Sequence, residues 1–343
     1  VAGGKDRRIV EGQMNRLLDR RGFGLALAGL LAGPPLAATA QGLSWGPQIL
    51  EQTKSPFNDI IVMRDGQDVV LVFRVGRCEF VESIYRPSDP EFLPVEYTRF
   101  ATAALLYPGK LGRFLEIGLG GGRTVSYLRR FVPEMAITTV EIDPGVVAAA
   151  KKHFGVKEDE RLKIIVDDGR RYVMNSQDKY DIAFIDAFRG TWVPHTLTTV
   201  EFFKAVKARL NPGGVVAQNV EPTTLFYDGM AATLRAVWKN VDAFASGQDS
   251  EQINTVLVAY DGPRLSDRQI AQRAEALQAR YKFRHDLRPI AKVRRIEKAT
   301  GAAPLRDGFD QSNVLLMIDR SNSNDAAKRA KAATPRQRRA QCE

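Results

Sequence analysis

Three acids at the ends of successive strand-like runs, behind a turn built of glycines, are the residues with the clearest chemistry in this chain. Phe114 to Leu128 reads FLEIGLGGGRTVSYL: a buried strand, a tight turn and the start of a helix. The turn glycines are Gly118, Gly120, Gly121 and Gly122. A phosphate-cradling P-loop needs Lys followed by Ser or Thr after its last glycine, whereas Arg123 and Thr124 follow here at a different spacing. Glu141 ends the next strand-like run, 23 positions after Gly118. A carboxylate there can accept both hydroxyls of an unphosphorylated ribose. Asp168, in VDDGRRY after the third run, can accept from an adenine amino group, and Asp186 closes the fourth run at the mouth of the crevice. Each acid has a plainer role open to it: Glu141 beside a lysine, Asp168 as a helix cap, Asp186 as a solvated strand end. Taken together they favour an adenosyl site. A nicotinamide dinucleotide would share the turn and the second-strand acid but not the acids after strands three and four.

The elements needed to position these residues can be read around them. Strands are expected at Phe114–Ile117, Ile137–Glu141, Lys163–Val166, Ile182–Asp186, Val215–Asn219, Val241–Phe244 and Thr255–Tyr260. Helices are expected near Thr124–Phe131, Pro144–Phe154, Gly169–Asn175, Thr199–Leu210 and Asp228–Val237, with Asp143 as the N-cap before Pro144. This alternation predicts an α/β fold with a doubly wound, mainly parallel, methyltransferase-like (Rossmann-like) sheet over 105–262. Pro212-Gly213-Gly214 reads as a loop between helix and strand, and NTVLVAY as a last strand of sheet-edge character. Ahead of this unit, the runs NDIIVMRD, QDVVLVFRV and CEFVESIYR predict a small antiparallel β domain over 43–100, followed by a helix around Val95–Leu106. A charged helix, Leu265–Tyr281, opens a helical extension over 263–320.

The ends of the chain carry most of its charge. Of the net +10, +7 lies in residues 1–40 and 321–343. No aromatic residue is interleaved with the charges of the tail at 321–343, so it reads as a solvated, disordered segment and not as a nucleic-acid platform. Residues 14–40 follow the plan of a secretory signal: a basic start with Arg20-Arg21, an apolar run from Leu25 to Leu31, Pro34-Pro35, and Ala38-Thr39-Ala40. The paired arginines resemble a twin-arginine motif, residues 1–13 read as an over-extended start, and a periplasmic location follows as an expectation. The apolar run is too short for an integral membrane segment. Cys78 and Cys342 are the only thiols, placed so that an internal disulfide is not expected. The three histidines and two cysteines form no metal-binding spacing.

Over residues 50–260 the chain resembles the polyamine aminopropyltransferases, or spermidine synthases, and their spermidine-synthase-like relatives. SPFNDIIVM is similar to the family's amino-terminal strand, VEIDPGVV to its ribose motif, VDDGRRYV to its adenine motif and YDIAFIDAF to its catalytic strand. VPHTLTTVEFF is similar to the relatives in which a longer loop replaces the usual one. The resemblance implies transfer of an aminopropyl group from decarboxylated S-adenosylmethionine to a polyamine acceptor, no tightly bound cofactor, and a homodimer. It makes Asp186 the catalytic acid, with Gly118, Gly120, Gly121, Gly122, Glu141, Asp168 and Asn58 around the nucleoside.

The chain departs from the family pattern on the amine side. An aspartate that grips the substrate amine in the family falls at Gly121, its proton-accepting aspartate falls at Arg189, and a family glutamine is Asn58 here. A tyrosine-bearing motif has no counterpart in ASGQDSEQ. Arg189 near a cationic amine would repel it. Asp167, Glu201, His195 and Asp307 are the candidate substitutes. Two other functions fit the same residues: a small-molecule methyltransferase using S-adenosylmethionine, and an exported, non-catalytic binding module on the same fold.

Overall fold

The computed structural model describes residues 46–75, 78–188, 193–220, 225–245 and 254–308. The export segment read at 1–40, Arg189, most of ASGQDSEQ and the basic tail at 321–343 lie outside them.

A run of Val, Ile and Phe punctuated by Asp65-Gly66 folds as a meander. Strands β1 (Gln48–Lys54), β2 (Asp59–Asp65), β3 (Asp68–Val75) and β4 (Cys78–Tyr85) form an antiparallel sheet in that order. Alternation along the strands sends Ile60, Val62, Val69, Leu71 and Phe73 into the main core, and Ile61, Met63, Val70 and Val72 into a separate cluster. The β3–β4 register slips once. Leu71 pairs with Ser83 and Val72 with Val81, which leaves Glu82 as the extra residue of a bulge. A bulge bends its strand and re-aims the side chains on it.

The helix expected over 95–106 divides. Helix α1 (Glu96–Ala101) passes into a turn of 3-10 helix at Thr102–Leu106, where the Thr102 hydroxyl donates to the Arg99 carbonyl at 2.6 Å.

The second sheet has eight strands. In chain order they are β5 (Arg113–Ile117), β6 (Ala136–Glu141), β7 (Leu162–Val166), β8 (Tyr180–Ile185), β9 (Leu210–Val220), β10 (Asn240–Phe244), β11 (Thr255–Tyr260) and β12 (Arg294–Ile296). Their spatial order is β12-β10-β11-β9-β8-β5-β6-β7. Strands β7, β6, β5, β8 and β9 are parallel, and β11 runs antiparallel to both of its neighbours. This is the doubly wound, methyltransferase-like order.

The helices between the strands are α2 (Arg123–Phe131), α3 (Pro144–His153), α4 (Gly169–Asn175), α5 (Val200–Ala208) and α6 (Leu225–Arg235). Two more, α7 (Asp267–Tyr281) and α8 (Leu287–Lys292), precede β12. Alternate residues of the central strands enter two core clusters, one holding Phe114, Ile182 and Phe184, the other Leu115, Ala183 and Ile185.

Two local expectations are corrected. Pro212-Gly213-Gly214 is not a loop ahead of β9 but an interruption inside it: Leu210 already pairs with Tyr180, and pairing resumes at Ile182 with Val215. β11 is not an edge strand. It lies between β9 and β10 with all six residues buried, because its uninterrupted apolar run needs neighbours on both sides.

Candidate active site

The sheet reverses its winding between β5 and β8, and ligands of doubly wound sheets sit beyond the carboxyl ends of the strands at that switch. The glycine turn lies there. Gly118 N donates to the Val140 carbonyl and Asp186 N to the Ile117 carbonyl, each at 2.8 Å, so the turn leaves the sheet pressed against the end of β8. A Cβ on Gly118 would stand 2.4 Å from the Asp186 carbonyl oxygen, and its φ of +95° is a left-handed value; only glycine meets both conditions.

Gly120 and Gly122 complete the turn, closed by Gly122 N donating to the Leu119 carbonyl at 2.8 Å. Gly121 N donates to Ser83 Oγ at 2.9 Å, and a Cβ on Gly121 would come within 2.7 Å of Ser83 Cβ and 2.8 Å of Phe154 Cδ1. Strand β4 therefore roofs the turn at Gly121.

Glu141 is buried against the turn. Its Oε2 accepts from Leu119 N at 2.8 Å and its Oε1 from Asp143 N at 3.0 Å. Burial raises this carboxyl, and the amides pull it partly back. No lysine pairs with it among the described residues. Asp143 caps α3 as expected, accepting from Gly145 N at 2.8 Å. Its other oxygen takes Asn58 Nδ2 at 2.9 Å and Ser55 Oγ at 2.5 Å, so Asn58 ties the small sheet to α3. Asp168 caps α4 through Arg171 N at 2.8 Å.

Asp186 is half-buried. Its Oδ1 accepts from Asn219 Nδ2 at 2.8 Å, and the Tyr97 hydroxyl acts on the same carboxyl. Burial pushes it up to about 6 against the pull of Asn219 and Tyr97. Around it stand residues that sequence reasoning missed. Glu116, buried on β5, accepts from Thr139 Oγ1 at 3.2 Å, and burial followed by the Asp186 charge holds its carboxyl well above the usual range. Glu82, on the β4 bulge, is pushed up to about 8, first by burial and then by the charges of Asp186 and Glu141. Glu116 had a signal, an acid inside the buried run FLEIG. Glu82, Tyr97 and Asn219 had none.

None of Glu82, Glu116 and Asp186 is paired with a lysine, arginine or histidine among the described residues. Arg123, the basic residue after the turn, donates instead to the carbonyls of Phe154 and Pro90. Two acceptors in the same group, Glu82 Oε1 and Asn219 Oδ1, are buried without a hydrogen-bond partner. Among the described residues, the crevice is a set of acids and acceptors with no cation paired to them.

The acids expected as substitutes are engaged elsewhere. Asp307 pairs with Arg170, Asp167 with Arg171, and Glu201 accepts from Asp307 N at 2.9 Å. His195, whose Nε2 is buried and unpartnered, is lowered by burial. Among the described residues no three His, Cys, Asp or Glu side chains are grouped to hold a metal ion, and no helix is long and apolar enough to cross a membrane.

Comparison with known proteins agrees with this geometry. Residues 103–245 match the family model of the spermine/spermidine synthase domain. A polyamine aminopropyltransferase of Vibrio vulnificus is 32% identical over 233 residues, which cover 67% of this chain and 77% of that one. Another, from Chromobacterium violaceum, is 32% identical over 142 residues, 41% of this chain and 54% of that one. Among solved structures, a probable spermidine synthase from Corynebacterium glutamicum has a TM-score of 0.63 at 22% identity, covering 76% of this chain and 97% of that one. The spermidine synthase of Thermotoga maritima has a TM-score of 0.56 at 17% identity, covering 71% and 83%. The structural likenesses speak to the fold, and the sequence match carries the family: the chain belongs to the polyamine aminopropyltransferases, the family of the spermine/spermidine synthase domain.

Proposed function

We propose that this protein is an aminopropyltransferase that takes decarboxylated S-adenosylmethionine as cosubstrate and an amine as acceptor. The observation that carries the reading is the crevice of acids, unpaired by any cation among the described residues, set beside a glycine turn and Glu141 at the switch point of the sheet. In this reading the nucleoside lies along the turn, with its ribose toward Glu141 and its adenine toward Asp168. The cationic groups face Asp186. The acceptor nitrogen, having lost a proton to Asp186, attacks the methylene carbon next to the sulfonium. The new C–N bond forms as the C–S bond breaks, and methylthioadenosine leaves with the bonding pair on sulfur.

Family membership supports the transfer, and a spermidine synthase structure in complex with the transition-state analogue AdoDATO supports the class of donor. Asp186, ionised at neutral pH, disfavours methyl transfer from S-adenosylmethionine, whose extra carboxylate it would repel.

Calorimetry with methylthioadenosine, S-adenosylhomocysteine and decarboxylated S-adenosylmethionine, followed by detection of methylthioadenosine released in the presence of putrescine, tests the reading. Binding of the first and third in preference to the second, with turnover that rises as pH passes through about 6 and Asp186 ionises, is the expected result. Preference for the carboxyl-bearing ligand would replace it with methyl transfer, and binding without turnover on any diamine would leave a binding module.

A further inference from the structure

Glu82 has no role in the chemistry just proposed, and its placement is unusual. It is the extra residue of the β4 bulge, where a regular strand would have put it on the face opposite Ser83. Ser83 Oγ holds the Gly121 amide, so the neighbouring residue is delivered to the same rim of the crevice. There Glu82 meets the charges of Asp186 and Glu141, and the Tyr97 hydroxyl feels the charges of Asp186, Glu82 and Glu116. Its Oε1 is buried and receives no hydrogen bond, and the same is true of Oδ1 of Asn219, whose Nδ2 donates to Asp186. No cation acts on Glu82 from any element packed against it among the described residues. Two orphaned acceptors in an acidic crevice call for a ligand rich in N–H donors and carrying positive charge.

We infer, building on the reading proposed above, that Glu82 is the residue by which the crevice selects an ammonium-bearing ligand: its carboxyl holds a proton while the crevice is empty and gives it up when an alkylammonium group arrives. The proton passes to solvent, and the carboxylate left behind accepts N–H bonds from the ammonium. A carboxyl pushed up to about 8 is protonated at neutral pH, so entry of the cation is coupled to proton release.

The test compares two thioethers, both uncharged at sulfur, that differ only in the arm on it. Methylthioadenosine has a methyl group, and 5′-deoxy-5′-(3-aminopropylthio)adenosine has an aminopropyl group. Each is titrated into the full-length wild-type protein and Glu82→Gln at pH 7, in buffers of different ionisation heat. The wild type is expected to release close to one proton with the aminopropyl ligand and none with methylthioadenosine. Glu82→Gln is expected to bind methylthioadenosine within twofold of wild type, to bind the aminopropyl ligand at least tenfold more weakly than wild type, and to release no proton. Methylthioadenosine also reports on folding of the variant. Equal affinity of both proteins for the aminopropyl ligand overturns the assignment while the nucleoside reading stands, as does a wild type that releases no proton. A wild type that binds neither thioether overturns the nucleoside reading and this inference with it.

Discussion

Glu82 is a residue the fold pays for in proton affinity. Its carboxyl is raised from 4.5 to about 8 in the folded state. Below pH 4.5 both folded and unfolded chains keep the proton and the group is neutral to stability. As pH rises from 4.5 to 8 the unfolded chain ionises first, so stability falls through that window and the loss is complete above it. Asp186 adds a loss of the same sign between 3.8 and about 6. Glu82→Gln removes the larger effect without breaking a bond at the unpartnered Oε1. Urea unfolding is expected to find the variant equal to wild type near pH 4 and more stable by roughly 3 kcal/mol at pH 7. A difference that does not change with pH would mean that Glu82 titrates normally.

The glycine turn and the strand above it form one element in practice. Introducing an acid by Gly121→Asp is expected to destabilise the protein by about 2 kcal/mol, because the new Cβ would sit on Ser83 Cβ and the Phe154 ring. Pairing it with Ser83→Gly removes one of those contacts and is expected to recover part of the loss in thermal melts; an unchanged melt for Gly121→Asp alone would show that the roof gives way. This local packing marks the limit of what the sequence displays. Glu141 and Asp186 were legible because a strand-turn-helix alternation places acids at strand ends whatever packs around them. Asp168 could be read as a site acid or as a helix cap, and its bond from Arg171 N is the capping one. Glu82 was illegible for a geometric reason: a two-residue period sets neighbours on opposite faces, and only the pairing of Leu71 with Ser83 and Val72 with Val81 reveals the bulge. Tyr97 and Asn219 come from elements far apart in the chain, and only tertiary packing brings them to Asp186.

At the scale of the molecule, Asp143 joins the two sheets: it caps α3 while holding Ser55 and Asn58 of the β1–β2 connection. Asp143→Ala is expected to cost about 1 kcal/mol for the cap and to free the small sheet at that corner. Hydrogen exchange should then quicken in β1 and β2 and stay unchanged in β5 and β8; uniform change across both sheets would mean that the joint is not local. At the other end of the large sheet, Asp242 on β10 accepts from Tyr107 and Arg294 at 2.9 Å and from Arg264 at 3.1 Å, which fastens β12 and the helical extension to the core. The insertion of β11 between β9 and β10 has a consequence for synthesis. Until residue 260 has emerged from the ribosome, β9 and β10 have no strand to lie between them, and two apolar edges stay open to any passing chain. The described residues around the crevice, from Glu82 on β4 to Asn219 on β9, have all emerged well before that, so a ligand or chaperone present early meets them on a sheet that still lacks its keystone.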